Sequence, residues 1–283
     1  MLKYGFGTWR FFLAFLVAIS HLYANMIHGP AAYAVWGFYV LSGYLMTYVL
    51  TTKYSFTVKG LQEFAFNRFL RIFPGYWIVT ILGVITILVL KDQVSLTTLN
   101  PQFQLPNNFN EWLFVVTLLP VFPNARLPVP VASALGIEVG AYILMPFLAA
   151  SRSASWLVLI ISFIIHAQFD FIGDTFAVRY ATFLPCLFPF AAGSLICHYR
   201  LFLLKFAAPK LSTFVWLAQC LIWLSRPYYP WTYGLYISVA LSAWVTLSLS
   251  NIKTGKLDSH LGELSYPVYL LHTTAAAWLL PSM

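Results

Sequence analysis

The chain alternates between long apolar runs and short polar segments. A run of about 20 apolar residues crosses a bilayer as a helix, because a helix rises about 1.5 Å per residue and the hydrocarbon core is about 30 Å thick. The first run contains Arg10 and is followed by further runs, which favours a membrane helix over a cleaved signal peptide. The predicted spans are 8–26, 31–50, 74–90, 111–122, 131–150, 156–172, 177–198, 203–224, 229–247 and 264–280.

This pattern predicts an all-α fold, a polytopic integral membrane protein with about ten transmembrane helices in one bundle. Residues 1–283 are expected to form a single transmembrane domain without a soluble domain. The run 111–122 is interrupted by Pro120 and is short for a span, so we interpret it as a short, tilted or re-entrant helix.

Basic residues predict the orientation. The segment 51–71 carries four Lys or Arg residues and should be cytoplasmic, which places the N-terminus in the cytoplasm. The segments 200–210 and 253–256 are also basic. They lie outside if all ten spans cross, and inside if 111–122 does not cross, so the spacing leaves both topologies open.

Composition supports the membrane class. Of 283 residues, 60% are hydrophobic and 8% are charged, and the mean hydropathy is +0.78. A soluble domain carries roughly a quarter charged residues, so a soluble enzyme is excluded. Loops rich in Lys and Arg account for the net charge of +8. The expected partner is therefore the lipid bilayer and not nucleic acid. The three cysteines lie in apolar runs and match no metal motif.

Ionisable residues inside spans are costly and are therefore candidates for function. Arg10 and His21 lie 11 residues apart, which places them on one helix face about 16 Å apart along the axis. A neutral histidine in this position can accept a proton from a hydroxyl nucleophile. A snorkelling arginine and a hydrogen-bonded core histidine are the structural alternative.

Three further segments carry polar groups. Arg68 and Arg71 share a helix face before the third span, where two guanidinium groups suit a diphosphate and also anchor a helix at the membrane surface. Glu138 is the one acid in a long apolar run and should pair with an arginine or a polar group. Ser265, Tyr269 and His272 form a stripe along the last span.

A possible metal site has weak support. His166, Asp170 and Asp174 recur every four residues but straddle the end of a span, so we interpret them as hydrated residues. We therefore expect no metal.

The segments that carry the Arg10–His21 pair, the two arginines of 67–77, Glu138 and the stripe of the last span resemble, in this order, motifs of the acyltransferase 3 family. The members of this family are membrane-bound O-acyltransferases of bacterial surface polysaccharides. Two positions depart from the family pattern: Ser133 stands where the family has tryptophan, and Val139 where it has a second acid. The matching segments are the Arg10–His21 pair, 37–45, 67–77, 133–146 and 261–272, with a fainter match at 190–193.

The resemblance implies transfer of an acyl group, usually acetyl, from acyl-CoA (acetyl-CoA) to a hydroxyl of a cell-surface or lipid-linked carbohydrate. It implies a location in the bacterial cytoplasmic (inner) membrane. His21 would act as a base or carry the acyl group, and we favour the base. The implied catalytic residues are His21, Arg10 and Glu138; the donor would be held by Arg68, Arg71, Tyr76 and Trp77; and Ser42, Tyr142, Ser265, Tyr269 and His272 would line the substrate site.

Two other functions use the same residues. A multispan transporter or exporter of a small or glycan substrate would use the buried charges as a substrate path. A non-catalytic membrane scaffold has less support, because packing alone does not ask for Arg10 and His21 on one face.

Overall fold

The computed structural model describes residues 4–23, 30–90, 96–121, 125–168, 179, 182–226 and 228–279. Within these ranges every regular element is a helix and there is no strand. The prediction of an all-α polytopic membrane protein is confirmed. The number of crossings, about ten, stays a prediction.

The main helices are numbered here in chain order, and short helical turns at Leu96–Leu99 and Arg200–Leu203 are left without numbers. They are α1 (Phe6–Tyr23), α2 (Ala31–Thr52), α3 (Val58–Leu90), α4 (Phe109–Thr117), α5 (Ala132–Ala150), α6 (Arg152–Ala167), α7 (Phe183–His198), α8 (Pro209–Cys220), α9 (Tyr233–Leu249) and α10 (Lys256–Leu279).

Helices α2, α3 and α5 are each long and apolar enough to cross a membrane alone. The outer face of α3 exposes a row of large apolar side chains, including Ile78, Ile81 and Ile85. Such a face is unfavourable in water and is typical of a surface that contacts lipid.

Helix α4 overlaps the run 111–122, which was predicted to be short, tilted or re-entrant, and begins two residues before it. Its nine residues span about 14 Å, roughly half of the hydrocarbon core. Two side chains of α3 hold it: the Tyr76 hydroxyl donates to the carbonyl of Val115 at 2.8 Å, and Trp77 Nε1 donates to that of Val116 at 2.9 Å. This helix is therefore too short to cross by itself.

The first and last helices lie side by side and run in the same direction. At their N-terminal ends, Asp258 accepts hydrogen bonds from the backbone of Gly5 and Thr8. Toward their C-terminal ends, His21 contacts His272. Because α1 and α10 are parallel, the arrangement favours an odd number of crossings between the start of α1 and the end of α10.

The basic connections lie together at one end of the bundle. The C-terminal ends of α2, α7 and α9 meet where the Arg200 guanidinium lies 5.9 Å from the Tyr48 ring and donates to Ser250. Arg152, at the start of α6, lies 5.3 Å from the Tyr199 ring. We call this the basic end. The segments 200–210 and 253–256 therefore share the end of the bundle that holds 51–71, which agrees with the topology in which 111–122 does not cross.

Helices α2 and α7 pack closely against each other. A Cβ added to Gly43 would lie 2.1 Å from the carbonyl oxygen of Phe190, and one added to Gly193 would lie 2.0 Å from that of Val40. Small residues at such contacts let membrane helices approach closely. This contact fixes α2, which forms one wall of the candidate site.

Candidate functional site

A cavity lies between α1, α2, α3, α5 and α10, toward the basic end. It brings together eight side chains that the sequence predicts as functional, although they come from five separate segments of the chain. They are Arg10, Ser42, Arg68, Arg71, Glu138, Tyr142, Ser265 and Tyr269.

The two arginines of α3 follow from helix geometry. Arg68 and Arg71 are three residues apart and so project from one face, one turn before Pro74. The Arg68 guanidinium lies 5.8 Å from the Phe64 ring, and its Nε is buried without a hydrogen-bond partner in the described part of the chain. A buried donor without a partner costs about 1–3 kcal/mol, so this cavity suits an acceptor-rich ligand.

Glu138 is held by neutral hydroxyl groups. The Ser42 hydroxyl of α2 donates to Glu138 Oε1 at 2.7 Å, and the hydroxyl of Tyr142, one turn further along α5, donates to the same oxygen. The sequence left open whether the partner of Glu138 is an arginine or a polar group; in the structure it is the polar group. The second carboxylate oxygen has no donor among the described residues.

The cavity carries an excess of positive charge. Among the side chains named above, the three guanidinium groups of Arg10, Arg68 and Arg71 accompany the single carboxylate of Glu138, a local surplus of two positive charges. The wider part of the cavity also carries the carboxylates of Asp258 and Glu263, so the surplus is confined to the inner part. None of the three arginines forms an ion pair within the described ranges. In a medium of low dielectric constant this surplus attracts anions strongly.

The cavity widens toward the basic end. The inner part encloses about 80 Å³ and the outer part about 490 Å³. Arg10, Arg71 and Glu138 line both parts, while Gly7 and Asp258 line the outer part alone. A large anionic ligand can therefore enter from the basic end and present a narrower group to the interior.

Asp258 fixes the N-terminal end of α1 at this entrance. Its Oδ1 accepts from the amides of Gly5 and Thr8 and from the Thr8 hydroxyl, at 2.7–2.8 Å, and its Oδ2 accepts from the Gly7 amide at 3.2 Å. Burial alone would raise the pKa of Asp258, but these hydrogen bonds outweigh it and lower the pKa. The ionised carboxylate thus caps the N-terminal end of α1. Thr8, which it binds, lies two residues before Arg10.

His21 lies outside this cavity and pairs with His272. The distance from His21 Nδ1 to His272 Nε2 is 2.8 Å, and the distance from His272 Nδ1 to the Tyr269 carbonyl oxygen is also 2.8 Å. The Tyr269 ring, which lines the cavity, lies 6.5 Å from the His272 ring and 5.8 Å from the Phe38 ring. The histidine pair therefore lies about one helical turn beyond the inner end of the cavity.

Other predicted residues have different surroundings. Tyr76 and Trp77 do not line the cavity, and their polar atoms bind backbone carbonyls near α4. Their proposed contact with the donor stays a prediction. His166 Nδ1 contacts the Tyr236 hydroxyl at 3.1 Å. Asp170 and Asp174 lie outside the described residues.

Sequence reasoning missed several lining residues. Phe38, Tyr39 and Tyr266 contribute aromatic surface to the cavity. Phe38 and Tyr39 lie four and three residues before Ser42, and Tyr266 lies three residues before Tyr269, so helical spacing was an available signal. Asp258 was missed because it lies in a polar stretch before the predicted span 264–280, where an acidic residue is expected to be exposed to water and to have no unusual cost.

One of three comparisons with known proteins gives a match. A family model described as an acyltransferase domain, that of the acyltransferase 3 family, matches residues 3–280. No curated protein matches the chain. No solved structure matches it either.

The match covers nearly the whole chain, so the chain belongs to the acyltransferase 3 family. It is a membrane acyltransferase.

Proposed function

We propose that this protein transfers an acetyl group from acetyl-CoA to a hydroxyl of a cell-surface or lipid-linked carbohydrate. We place it in the bacterial cytoplasmic membrane, with the basic end and the N-terminus in the cytoplasm. The observation that carries the donor assignment is the cavity that opens at the basic end. It holds three guanidinium groups, none of which forms an ion pair among the described residues.

The donor assignment follows from charge and shape. Acyl-CoA contains a nucleotide with a diphosphate and one further phosphate. A long flexible arm extends from the diphosphate and ends in the thioester. Arginine binds phosphate with two parallel hydrogen bonds, which suits Arg68 and Arg71 on adjacent turns of α3. The diphosphate would lie beside Arg71, which lines both parts of the cavity, and Arg68, which lines the inner part, while the arm extends toward Phe38 and Tyr269.

His21 is the proposed base. In this step its unprotonated ring nitrogen takes the proton of the acceptor hydroxyl while that oxygen attacks the thioester carbonyl carbon. The C–S bond breaks, an ester forms, and the departing thiolate takes up the proton. Because a thioester is already activated, general base assistance of about 10²–10⁴ together with positioning suffices.

Glu138 is proposed to limit and orient the positive charge of the cavity. Its carboxylate is close enough to influence Arg10, yet it is anchored by Ser42 and Tyr142 and does not neutralise any one guanidinium. The arginines therefore stay available to the donor.

The test uses the full chain in inverted membrane vesicles that receive acetyl-CoA labelled in the acetyl group. We expect label in the carbohydrate fraction and release of one CoA thiol per ester formed. Arg68→Gln should raise KM for acetyl-CoA about 10–100-fold, the equivalent of one lost charged hydrogen bond of about 1.5–3 kcal/mol.

Arg152→Gln is the matched control, since it removes an exposed guanidinium at the same end of the bundle but outside the cavity. The proposal is wrong if wild-type vesicles leave acetyl-CoA intact in the presence of surface and lipid-linked glycans. Flux of a substrate across the membrane without ester formation would instead support the transporter.

A further inference from the structure

We propose that His272 is a positioning residue that fixes the tautomer of His21, so that the free lone pair of His21 is on Nε2. This inference rests on the proposed role of His21 as the base. It assigns to the last helix a task in the reaction that is separate from lining the cavity.

The argument starts at the Tyr269 carbonyl. A carbonyl oxygen accepts hydrogen bonds and cannot donate, so the 2.8 Å contact requires a proton on His272 Nδ1. A neutral imidazole carries one proton, which leaves His272 Nε2 as an acceptor.

The donor and the acceptor of the hydrogen bond between the two histidines are then fixed. Because His272 Nε2 accepts, His21 Nδ1 must donate across their 2.8 Å contact. A neutral His21 with its proton on Nδ1 has its lone pair on Nε2. No group in the described part of the chain donates a hydrogen bond to this nitrogen, so it is free for a substrate hydroxyl.

The surroundings hold the pair in place. His272 is 8% exposed and stands on α10, which is locked parallel to α1 by Asp258 at their other end. The contact between Thr8 and Asp258 and the contact between the histidines are 13 residues apart on α1 and 14 on α10, so the two helices stay in register over this length. A rotation of either ring would break one of the two hydrogen bonds.

The arrangement also stabilises the product of proton transfer. When Nε2 of His21 takes the hydroxyl proton, the imidazolium charge is shared through Nδ1–H with His272 Nε2, and the Tyr269 carbonyl dipole points at the far nitrogen of His272. The chain from His21 to His272 to the carbonyl thus orients the base and spreads its charge, as a second group does for catalytic histidines in general.

The first test is a spectroscopic measurement that does not depend on turnover. ¹⁵N NMR of the histidine-labelled protein, with the His21 signals assigned by their loss in His21→Ala, should show a protonated Nδ1 and an unprotonated Nε2. His272→Leu should shift His21 toward the Nε2–H form, which dominates for a free side chain in water. His260→Gln, which removes an exposed histidine from the same helix, should leave the His21 signals unchanged.

The second test is kinetic, with acetyl-CoA as the donor. His272→Leu should lower kcat about 10–100-fold while KM for acetyl-CoA stays unchanged, because the donor cavity is intact. His272→Gln should restore much of the loss, since its amide oxygen can accept from His21 Nδ1.

The outcomes separate the two proposals. An Nε2–H form of His21 in the wild type, or equal kcat in wild type and His272→Leu, overturns the positioning role. If wild-type vesicles do not consume acetyl-CoA, the proposed function fails, and the NMR result alone decides whether His272 sets the tautomer.

Discussion

Replacing Asp258 by asparagine should destabilise the protein by weakening the start of α1. The wild-type carboxylate satisfies three backbone amides and one hydroxyl: Oδ1 accepts three hydrogen bonds and Oδ2 accepts one from Gly7. These amides belong to the first turn of α1, where donors have no partner within the helix.

The magnitude follows from this geometry. In Asp258→Asn an NH₂ group replaces one oxygen, so one donor of the first turn faces another donor and loses its acceptor, at a cost of about 1–3 kcal/mol. The remaining hydrogen bonds lose the charge that makes them about twice as strong, and α1 loses a favourable charge at its N-terminus, about 0.3–1 kcal/mol. The sum is about 1–4 kcal/mol, with a middle value of about 2–3 kcal/mol.

The assay is thermal unfolding in detergent, followed by the fluorescence of the 10 tryptophans. A loss of this size should lower Tm by roughly 4 °C or more. Glu263→Gln is the matched control, since it neutralises an exposed carboxylate of the same helix whose one ion pair, with His260 at 3.6 Å, is worth about 0–1 kcal/mol.

The pH dependence provides an independent check. The pKa of Asp258 is lowered in the folded protein, whereas the unfolded value is about 3.9. Its contribution is therefore present above about pH 4 and is lost as the pH falls through the lower, folded pKa. The Tm difference between wild type and Asp258→Asn should shrink over that range. A difference that persists at lower pH, or a variant as stable as Glu263→Gln, would refute the assignment of Asp258 as a charged cap.

Three further changes test the site and its support. Glu138→Gln keeps an oxygen for Ser42 and Tyr142 but removes the one carboxylate that lines the inner part of the cavity, so KM for acetyl-CoA should fall several-fold; a rise in KM would contradict the excess-charge argument. Gly193→Leu places a side chain against the Val40 carbonyl and should lower the yield of folded protein measured by size-exclusion chromatography. Trp77→Phe should lower Tm by a few degrees and leave KM for acetyl-CoA unchanged, whereas a raised KM would return Trp77 to the donor site.

Much of the cavity could be predicted because charged residues are rare in this chain. In an apolar background each charged side chain within a span has a high cost, so Arg10 and Glu138 stood out without knowledge of their neighbours. Arg68 and Arg71 followed from their spacing. Tyr142 was named only through the family resemblance, and the structure places its hydroxyl against Glu138.

The sequence could not show what each helix faces. Tyr76 and Trp77 follow Arg71 within the same segment, but the rotation of α3 turns them toward α4 and away from the cavity. Near a lipid boundary an aromatic residue fits a ligand site, a packing contact and the interface equally well. Only the tertiary arrangement distinguishes these surroundings.

The parallel pairing of α1 with α10 is the step that joins these observations. Asp258 and His272 are both about 250 residues away from their partners, so no local pattern links them. Yet one end of this helix pair lines the entrance beside Arg10, and the other end sets the histidine contact. Because a helix is rigid along its axis, the hydrogen bonds of Asp258 to the start of α1 also fix the axial position of His21 relative to His272. Disruption of the cap should therefore affect kcat as well as stability, a coupling that an isolated histidine on α1 would not have.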